Sequence, residues 1–393
     1  MREVGELATM TQGAMQQDLR ALFRGAIRVS LELFLEAELE ALVGADWYAR
    51  VGGRRDHRNG TYRRRLLTSV GQIDVAVPRS RASGSPSAVL GRYQRRTAEV
   101  DALLTSAYVN GVSQRNAGEL TDALLGERVS KSAVSRVASQ LDAHVDALQR
   151  APLTGAYPYL YLDATFVDAR WARTVENVSA LVAYGVGADG HRQLLGVSLG
   201  VEESEASWGD LLQQLIERGL TGVELVIADD HAGLAVAVRK WLPEAQRQRC
   251  TVHLQRNVLT HVPHRLRKRV AREVAALFRA ATAADAQQQL AALTARWQPQ
   301  LPEAMACLTK GFAAATTFYA FPAPHWKKIR TTNGLERLHG EIKRRTKAVG
   351  AFPDRASALR LITAVALKVT VKWSDRRYVD IALLERHGTK RAA

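Results

Sequence analysis

The chain has 393 residues, 47% of them hydrophobic, so it can bury a full core and is not a disordered protein. A chain of this length is expected to form two or three domains. Its net charge of +16 and isoelectric point near 10.2 indicate a polyanionic partner, most simply a nucleic acid. Charge alone does not distinguish DNA from RNA or from an acidic membrane surface.

Cysteine content and hydropathy predict an intracellular protein. The two cysteines, Cys250 and Cys307, give no disulfide framework and suit a reducing compartment. No run of about 18 apolar residues predicts a membrane-spanning helix, and Met1–Thr11 lacks the charged-then-apolar layout of a signal peptide. We therefore expect a cytoplasmic protein that does not enter a membrane.

The first 95 residues are predicted to form a long helix and a basic β-hairpin. Apolar residues recur at helical spacing between residues 12 and 50. They alternate from Val70 to Val77 around a turn at Gly71, and the hairpin is expected to end at Pro78. Six arginines could follow DNA phosphates, although a solvated basic surface explains them about as well. These six are Arg54, Arg55, Arg58, Arg63, Arg64 and Arg65.

Residues 82–92 have the composition of a linker, and three helices are predicted between 96 and 148. The first covers about 98–109, Ser113 can cap the second, and Ser130 can cap the third. A short turn before a helix that opens with small polar and basic residues is the layout of a helix-turn-helix. A plain helical bundle gives the same pattern, and the positive charge of the chain favours DNA. The candidate DNA contacts here are Ser130, Lys131, Ser132 and Arg136.

From residue 157 the pattern changes to alternating strands and helices. The predicted elements are a strand opening Tyr157–Asp168 that includes Asp163, strands at Asn177–Val186 and Gln193–Gly200, a helix around Trp208, a strand at Val223–Ala228, a helix at Gly233–Trp241 and a β-like run at Arg249–Val252. The order β-β-β-α-β-α-β is that of a ribonuclease-H-like mixed sheet, and we predict this α/β fold class.

Helices are predicted for the rest of the chain. Residues 256–325 are predicted to form an all-helical insertion between the sheet and a last motif at Arg330–Arg345. In that motif Asn333 is expected to cap a helix that carries Glu336 and Lys343, seven residues apart and therefore on one face. Arg344 and Arg345 follow as further candidate DNA contacts.

Three carboxylates are candidate metal ligands. A buried charge such as Asp163 is costly unless it is paired or bound to a metal. Asp229, at the end of a strand, and Glu336, on the late helix, could join it, and Mg²⁺ prefers such oxygen ligands. Two Mg²⁺ ions about 3.5–4 Å apart could clamp the attacking and leaving oxygens of a phosphodiester, and Mn²⁺ could replace them. Lys343 could contact a nearby phosphate. Any one of these carboxylates could simply be a solvated surface residue. The prediction of a metal site therefore rests on the three occurring together.

Four motifs carry a resemblance to a known family. They are Tyr161-Leu-Asp163-Ala-Thr165, Asp229-Asp-His231-Ala-Gly233-Leu234, Gln248-Arg-Cys250-Thr-Val-His253-Leu-Gln-Arg-Asn257, and Thr331-Thr-Asn-Gly-Leu-Glu336-Arg-Leu-His-Gly-Glu341-Ile-Lys-Arg-Arg345. In this order, over nearly the whole chain, they resemble the mutator-type transposases of bacterial insertion sequences, which use a DDE triad.

The resemblance implies roles for individual residues. Asp163, Asp229 and Glu336 would be the triad, and Cys250 and His253 match the family's Cys-x-x-His signature. Asp230, beside Asp229, and Glu341 remain rivals for the second and third positions. No second pair lies near Cys250 and His253, so packing and hydrogen bonding beside the active site is a better interpretation of them than a structural zinc.

The resemblance also implies a function. The chain would bind the terminal inverted repeats of its element, nick the ends with water and use the freed 3′-hydroxyl to attack target DNA. It would act at the nucleoid as a homodimer or larger assembly, because two ends must meet. The alternatives are a catalytically inactive, transposase-derived DNA-binding protein and a structure-selective nuclease on the same fold.

These predictions divide the chain into five segments. They are an N-terminal helical and basic hairpin region at 1–95, a helix-turn-helix domain at 96–150, a first part of the catalytic core at 151–255, a helical insertion at 256–325, and the C-terminal helices of the core at 326–393.

Overall fold

A computed structural model describes residues 12–49, 52–82, 87–91, 93–171 and 174–392. The predictions for Met1–Thr11 and for 83–86 and 92 of the linker lie outside these residues. The chain forms two compact units, Met1–Ala138 and Ser139–Ala393. The architecture is mixed α/β, and the five-segment division stays a prediction. Of the helices in the described residues, none combines the length and apolar character needed to cross a membrane.

The first unit combines a long helix, a two-stranded hairpin and a group of shorter helices. Its elements are α1 (Gln12–Val43), β1 (Arg58–Thr68), β2 (Gly71–Ser80), α2 (Ala98–Val109), α3 (Gln114–Leu125) and α4 (Lys131–Ser139). The predicted hairpin is confirmed, with Thr68 opposite Gly71, but it does not end at Pro78. Pro78 pairs with Thr61 at an irregularity in the register, where its missing N–H is tolerated, so β2 continues to Ser80.

The three shorter helices of the first unit start and stop at the predicted residues, whereas α1 ends at Val43, short of the predicted residue 50. The Ser113 hydroxyl accepts a hydrogen bond from the Asn116 N–H at 3.2 Å, and Gly126 ends α3 in the left-handed conformation at a φ of 71°. Leu67 of the hairpin packs into the same apolar core as α2, α3 and α4. That core contains Leu67, Val100, Leu104, Ala117, Leu125, Val129, Ala133, Val134 and Val137. The hairpin thus contributes Leu67 to the core of these helices, while its Leu66, Ile73, Val75 and Val77 form a separate core with Leu35 of α1.

The second unit is built on a five-stranded sheet with the order β5-β4-β3-β6-β7. The strands are β3 (Tyr159–Trp171), β4 (Thr174–Val186), β5 (Arg192–Gly200), β6 (Leu225–Ala228) and β7 (Gln246–Arg249). β4 lies antiparallel to both β3 and β5, whereas β6 runs parallel to β3 and β7 parallel to β6. The predicted chain order β-β-β-α-β-α-β is confirmed.

Helices before, between and after these strands complete the second unit. They are α5 (Asp142–Arg150), α6 (Glu205–Glu217), α7 (Ala232–Trp241), α8 (Thr251–Thr260), α9 (His264–Leu277), α10 (Ala283–Trp297), α11 (Pro302–Ala315), α12 (Trp326–Ile329), α13 (Asn333–Val349), α14 (Arg355–Thr370) and α15 (Ala382–Ala392). The main core packs β3, β4, β5 and β6 against α6 and α7, with Trp208 at its centre.

Two sequence predictions about these elements are wrong, and one helix was missed. The β-like run at Arg249–Val252 is the end of β7 followed by the start of α8, because the strand is polar and carries no apolar signal. Asn333 is the first helical residue of α13 rather than its cap, which is Thr332. α5 was not predicted, because only Val145 and Leu148 are buried within it.

Candidate active site

Asp163 and Asp229 occupy matching positions on neighbouring parallel strands. Tyr161 of β3 is paired with Ile227 of β6. Each aspartate stands two residues further along, Asp163 within the longer β3 and Asp229 directly after the end of β6. The register therefore brings the two carboxylates next to each other. Asp163 is the more enclosed of the two, with 13% of its side chain exposed against 40% for Asp229.

Glu336 is linked to Asp229 through His253. Glu336 stands in the first turn of α13, and His253 stands in the first turn of α8. His253 Nε2 lies 3.3 Å from the Glu336 carboxylate, and His253 Nδ1 lies 3.9 Å from the Asp229 carboxylate. Arg256 donates to both Glu336 oxygens, at 2.6 and 3.2 Å. His253 therefore links two of the three predicted carboxylates, Asp229 and Glu336.

Cys250 sets the protonation state and the position of His253. A hydrogen bond to Cys250 raises the pKa of His253 to about 9; Asp229 and Asp163 add to the effect, and burial opposes it. Burial disfavours the Cys250 thiolate, but hydrogen bonds with His253 and Thr332 outweigh it and lower its pKa. Thr332 donates its backbone N–H and its hydroxyl to Cys250 Sγ, each at 3.4 Å. Cys250 therefore ties the start of α8 to the start of α13.

His339 is a neighbour of Asp163 that received no role from the sequence. It lies three residues after Glu336 on α13, so both face the same side of the helix. His339 Nδ1 is 3.4 Å from the Asp163 carboxylate, and only 9% of its side chain is exposed. Its helical spacing from Glu336 was the one signal that could have found it.

Glu203 is a fourth carboxylate near the cluster, and the sequence gave no signal for it. It lies between β5 and α6, accepts a hydrogen bond from Trp208 Nε1 at 3.2 Å and is 3.7 Å from His231 Nδ1. Burial raises the pKa of Glu203, His231 opposes the shift, and the negative charges of Asp163 and Asp229 add to it. The negative charges of both aspartates therefore act on the Glu203 carboxyl group.

The two rival carboxylates are bound to arginines instead. Asp230 pairs with Arg247 at 2.8 Å and with Arg249 at 2.9 Å. Glu341 accepts hydrogen bonds from Arg345 and Arg344, which lower its pKa. It follows Glu336 by five residues, which is about 140° around an α-helix, so it points away from the Glu336 side of α13.

The predicted DNA-contacting residues of α13 differ in exposure. Lys343 and Arg344 are exposed, and Arg344 is bound to Glu341 at 2.6 Å. Arg345 is only 8% exposed, so the structure does not bring it to the surface.

Comparison with known proteins assigns the family. The model of the family described as Transposase, Mutator family, matches residues 1–376. The chain belongs to the Mutator family of transposases. It is 36% identical over 365 residues to the transposase for insertion sequence element ISRM5 of Rhizobium meliloti, covering 93% of this chain and 92% of the relative. It is 37% identical over 352 residues to the transposase for insertion sequence element IS406 of Burkholderia multivorans, covering 88% and 90%.

A solved structure is also among the matches to this Mutator-family chain. It is the cryo-EM structure of a simian T-cell lymphotropic virus intasome in complex with PP2A regulatory subunit B56 gamma. The match covers 52% of this chain and 63% of that chain at 11% identity, and a TM-score of 0.16 supports no argument about the fold.

The carboxylates of the candidate site in this Mutator-family chain fit a hard divalent cation, but two of them already contact cationic side chains. Asp163, Asp229 and Glu336 offer the carboxylate oxygens that Mg²⁺ prefers. Within the described residues, no three His, Cys, Asp or Glu side chains are arranged as a group that could hold a metal ion. Asp163 faces His339, and Glu336 is bound to Arg256. A metal ion would have to take the place of these cationic partners.

The first unit of this Mutator-family chain carries a basic cleft. A cavity of about 850 Å³ lies among the hairpin, the segment before α2 and the start of α4. Glu127 is the one acidic residue among the described residues that line it. The arginines that line it are Arg63, Arg64, Arg65, Arg79, Arg95, Arg96, Arg128 and Arg136.

Internal contacts shape this basic cleft. Arg64 and Arg79 lie over the ring of Tyr62, at 5.4 and 5.1 Å from its centroid. The Leu67 N–H donates to the Arg95 carbonyl at 2.9 Å, which fixes the segment before α2 against β1. Ser130 and Arg136 of the predicted DNA contacts line the cleft, and Lys131 and Ser132 are exposed beside it.

The other predicted arginines of the first unit are used internally. Arg54 donates to the Ala49 carbonyl at 2.7 Å, and Arg55 donates to the Ala41 carbonyl. Arg58 pairs with Glu36 at 3.1 Å and lies over the ring of Trp47. The structure therefore brings three of the six predicted arginines into the cleft, and the sequence missed Arg79, Arg95, Arg96 and Arg128.

Proposed function

We propose that this chain is a DNA transposase that binds the terminal inverted repeats of its own insertion sequence and cuts and joins DNA at Asp163, Asp229 and Glu336. The observation that carries the proposal is the strand register that sets Asp163 beside Asp229, with Glu336 linked to Asp229 through His253. Family membership supports the reaction class, since the relatives are transposases for insertion sequences.

The proposal includes a ribonuclease-H-like classification of the sheet. In its support, three antiparallel strands are followed by two parallel ones in the order β5-β4-β3-β6-β7. Asp163 lies on β3, Asp229 directly follows the neighbouring strand β6, and Glu336 is carried by the later helix α13. α8 to α11 separate that helix from the sheet, as an inserted helical segment would.

Both proposed reactions are in-line displacements at phosphorus. In the first, a water oxygen bonds to phosphorus while the bond to the 3′ oxygen breaks, and that oxygen leaves with a proton as a 3′-hydroxyl. In the second, the same hydroxyl loses its proton and attacks a phosphodiester of the target, which releases a new 3′-hydroxyl. The phosphodiester is transferred without a change in redox state.

Asp163, Asp229 and Glu336 would hold two Mg²⁺ ions, or Mn²⁺ in their place, through carboxylate oxygens. Bound there, the ions would neutralise the phosphate and align the attacking and leaving oxygens. His253 and Arg256 keep Asp229 and Glu336 close together before metal and DNA arrive, because without a cation between them the carboxylates would repel each other. Lys343, exposed on α13, is proposed to contact a phosphate beside the site.

DNA binding is proposed for the basic cleft and for α3 and α4. Arginine side chains bind phosphates with two hydrogen bonds and position a protein on DNA without reading sequence. α3, the turn after Gly126 and α4 would form a helix-turn-helix, and the exposed Ser130, Lys131 and Ser132 would enter the major groove. Because two DNA ends must be joined, we propose a homodimer or larger assembly on DNA, located at the nucleoid.

The test is cleavage and joining of a labelled duplex that carries one end of the element, in Mg²⁺ and in Mn²⁺. Wild type is compared with Asp163→Asn, Asp229→Asn, Glu336→Gln and Glu341→Gln, and binding to the same duplex is measured in parallel. We expect the first three variants to bind DNA but to lose cleavage by about 100- to 1,000-fold, the order of magnitude for removing one preorganised polar group from an active site. Glu341→Gln is the matched control and should cut.

Each other outcome has a defined meaning. If Glu341→Gln is inactive and Glu336→Gln cuts, the third carboxylate is wrongly assigned. A wild type that binds the ends but never cuts is a DNA-binding protein derived from a transposase. A wild type that cuts branched DNA but never joins ends is a structure-selective nuclease.

A further inference from the structure

α9 carries a row of basic side chains on its outer side. Arg265, Lys268 and Arg272 are exposed and, at 100° per residue, fall within a sector of about 60°. We call these three residues the α9 stripe. The opposite side of the helix is buried, and its buried residues are Val270, Val274 and Leu277. Among the described residues, no aspartate or glutamate forms an ion pair with the stripe.

The single acidic residue of α9 is engaged with the neighbouring helix α10. Glu273 pairs with Arg296 at 3.4 Å and accepts a hydrogen bond from Trp297 Nε1 at 2.8 Å. Arg269 joins this group, at 3.1 Å from Glu273 and 5.1 Å from the centroid of the Trp297 ring. Arg267 donates to the Val262 carbonyl at 2.9 Å. The stripe is therefore the part of α9 whose charge is not used to hold the fold together.

The stripe is locally unfavourable for the helix that carries it. Arg265 and Lys268 are three residues apart, and Lys268 and Arg272 are four apart, so like charges are neighbours on the helix surface. Arg265 also lies in the first turn, where the helix dipole disfavours a cation, and that turn contains no acidic residue and no side-chain cap. A polyanion lying along this side of α9 would relieve both effects.

α9 is fixed alongside the candidate active site. Arg330 donates to the carbonyl of Phe278, directly after α9, at 2.5 Å, and its own carbonyl accepts from the Thr251 N–H at 3.0 Å. Thr251 opens α8, the helix whose histidine links two of the candidate carboxylates. Gln255 of α8 also donates to the Ala271 carbonyl of α9 at 2.7 Å. The stripe therefore belongs to a helix that is bound directly to an element of the site.

We propose that the α9 stripe binds the phosphate backbone of the duplex DNA on which the candidate active site acts. The inference rests on the proposed function for the identity of the polyanion. Arginine and lysine contacts to phosphates position DNA without reading its sequence. The stripe extends about 10 Å along the helix axis, which matches about three successive phosphates of one strand at 3.4 Å each. It is a DNA contact of the second unit, additional to the basic cleft of the first.

The first experiment measures the salt dependence of DNA binding by the full chain. It uses a duplex that carries the element end and an unrelated duplex of the same length. The variant Arg265→Gln with Lys268→Gln and Arg272→Gln should reduce the slope of the logarithm of the binding constant against the logarithm of salt concentration by about 2 to 3, because each phosphate contact contributes about 0.9. The reduction should be the same on both duplexes, because backbone contacts carry no sequence information.

The matched control is Arg239→Gln with Lys240→Gln and Arg386→Gln, which removes three exposed charges from the same unit. Its slope should equal that of wild type. Without DNA, the thermal unfolding midpoint of the stripe variant should not fall below that of wild type, because the substitutions remove repulsion between like charges. If the midpoint falls, Lys268→Gln and Arg272→Gln are measured singly, each with an expected slope reduction of about 0.9.

The second experiment locates the stripe on the DNA. An iron–EDTA group is attached to Lys268→Cys in a Cys307→Ser background, in which the remaining native Cys250 is buried. Hydroxyl radicals from this group break DNA strands that lie close to it, and no divalent metal is added. On the duplex with the element end, we expect radical breaks only within about 10 base pairs of that end, which is one helical turn. On the unrelated duplex they should spread along the whole length.

Three results would overturn the proposal. One is a stripe variant with the same slope as wild type, and another is an equal reduction in the stripe variant and its control, which would mean that binding responds to total charge. The third is a set of radical breaks that is spread along the duplex with the element end. A chain that gives the expected slopes and radical breaks but never cleaves the end in Mg²⁺ would overturn the proposed strand chemistry and leave the assignment of α9 in place.

Discussion

His325 is a buried histidine that joins the start of β3 to the C-terminal segment. Its Nδ1 lies 2.7 Å from the Tyr159 hydroxyl, and its Nε2 lies 2.9 Å from the Asp380 carbonyl. A carbonyl only accepts, so Nε2 carries the proton and Nδ1 accepts from Tyr159. Burial lowers the pKa of His325, which keeps the ring neutral in the folded chain.

This histidine predicts a loss of stability in acid. Below the ordinary histidine pKa of 6.5, the unfolded chain takes up a proton that the folded chain resists, and the loss grows until the pH reaches the lowered pKa. His325→Gln should cost about 1–3 kcal/mol at pH about 7.5, because a buried hydrogen bond is lost. It should also reduce the difference in unfolding free energy between pH about 7.5 and 5.5.

Urea titrations of wild type and His325→Gln at both pH values provide the measurement. The change in pH dependence isolates His325 from other titrating groups, because these are common to both proteins. An unchanged pH dependence in the variant would contradict the assigned cause.

Sequence spacing and structure favour Glu336 over Glu341 for different reasons. The sequence favoured Glu336 because Lys343 follows it by seven residues on one helix face. The structure adds the His253 link to Asp229 and the arginine pairs that engage Glu341. These contacts join residues far apart in sequence, and no local pattern encodes them. The triad itself remains a prediction until cleavage is measured.

At the scale of elements, Gly233 governs a close packing of two segments. A Cβ at this position would lie 2.5 Å from the Glu205 nitrogen and 2.8 Å from the Ser204 carbonyl carbon, both backbone atoms that cannot swing away. Gly233, two residues after His231 in the first turn of α7, therefore packs directly on the segment that carries Glu203.

Gly233→Ala should destabilise the protein by about 1–3 kcal/mol, because the added methyl group forces the backbone of the β5–α6 loop to move. Gly340→Ala, also within a helix, is the matched control. A Cβ there meets no heavy atom within 4 Å, so the variant should gain about 0.5–1 kcal/mol from helix propensity. Denaturant unfolding measures both variants. Equal effects would show that the packing at Gly233 yields at little cost.

Element predictions succeeded where periodicity or capping chemistry was strong and failed where burial depended on tertiary contacts. Ser113 and Gly126 fix the ends of α3 through local hydrogen bonds and backbone conformation, which a sequence displays directly. β7 consists of Gln246-Arg-Gln-Arg, and its Gln248 is buried because its amide binds the Ala315 carbonyl and the Phe318 N–H. Those partners lie about seventy residues away, so the strand had no sequence signal.

At the scale of the whole molecule, the net charge of +16 predicted a polyanionic partner but not where it binds. The six predicted arginines of the first unit look alike in sequence. Only the fold separates Arg63 and Arg65, which line the cleft, from Arg54 and Arg55, which donate to backbone carbonyls outside it. Arg64 lines the cleft and also donates to the Gly91 carbonyl at 2.9 Å. No pattern of basic residues reveals which guanidinium groups line the cleft and which are held elsewhere by the chain's own backbone.

This separation predicts the salt dependence of DNA binding. Each arginine that neutralises a phosphate of duplex DNA contributes about 0.9 to the slope of the logarithm of the binding constant against the logarithm of salt concentration. Arg63→Gln with Arg65→Gln should therefore reduce the slope by about 2 and weaken binding to any duplex. Arg54→Gln with Arg55→Gln removes the same charge from side chains that do not line the cleft, so its slope should match that of wild type. Fluorescence anisotropy with a labelled duplex at several salt concentrations measures both, and thermal unfolding checks that both variants fold. Equal slopes for the two double variants would mean that binding responds to total charge and that the cleft has no special part in it.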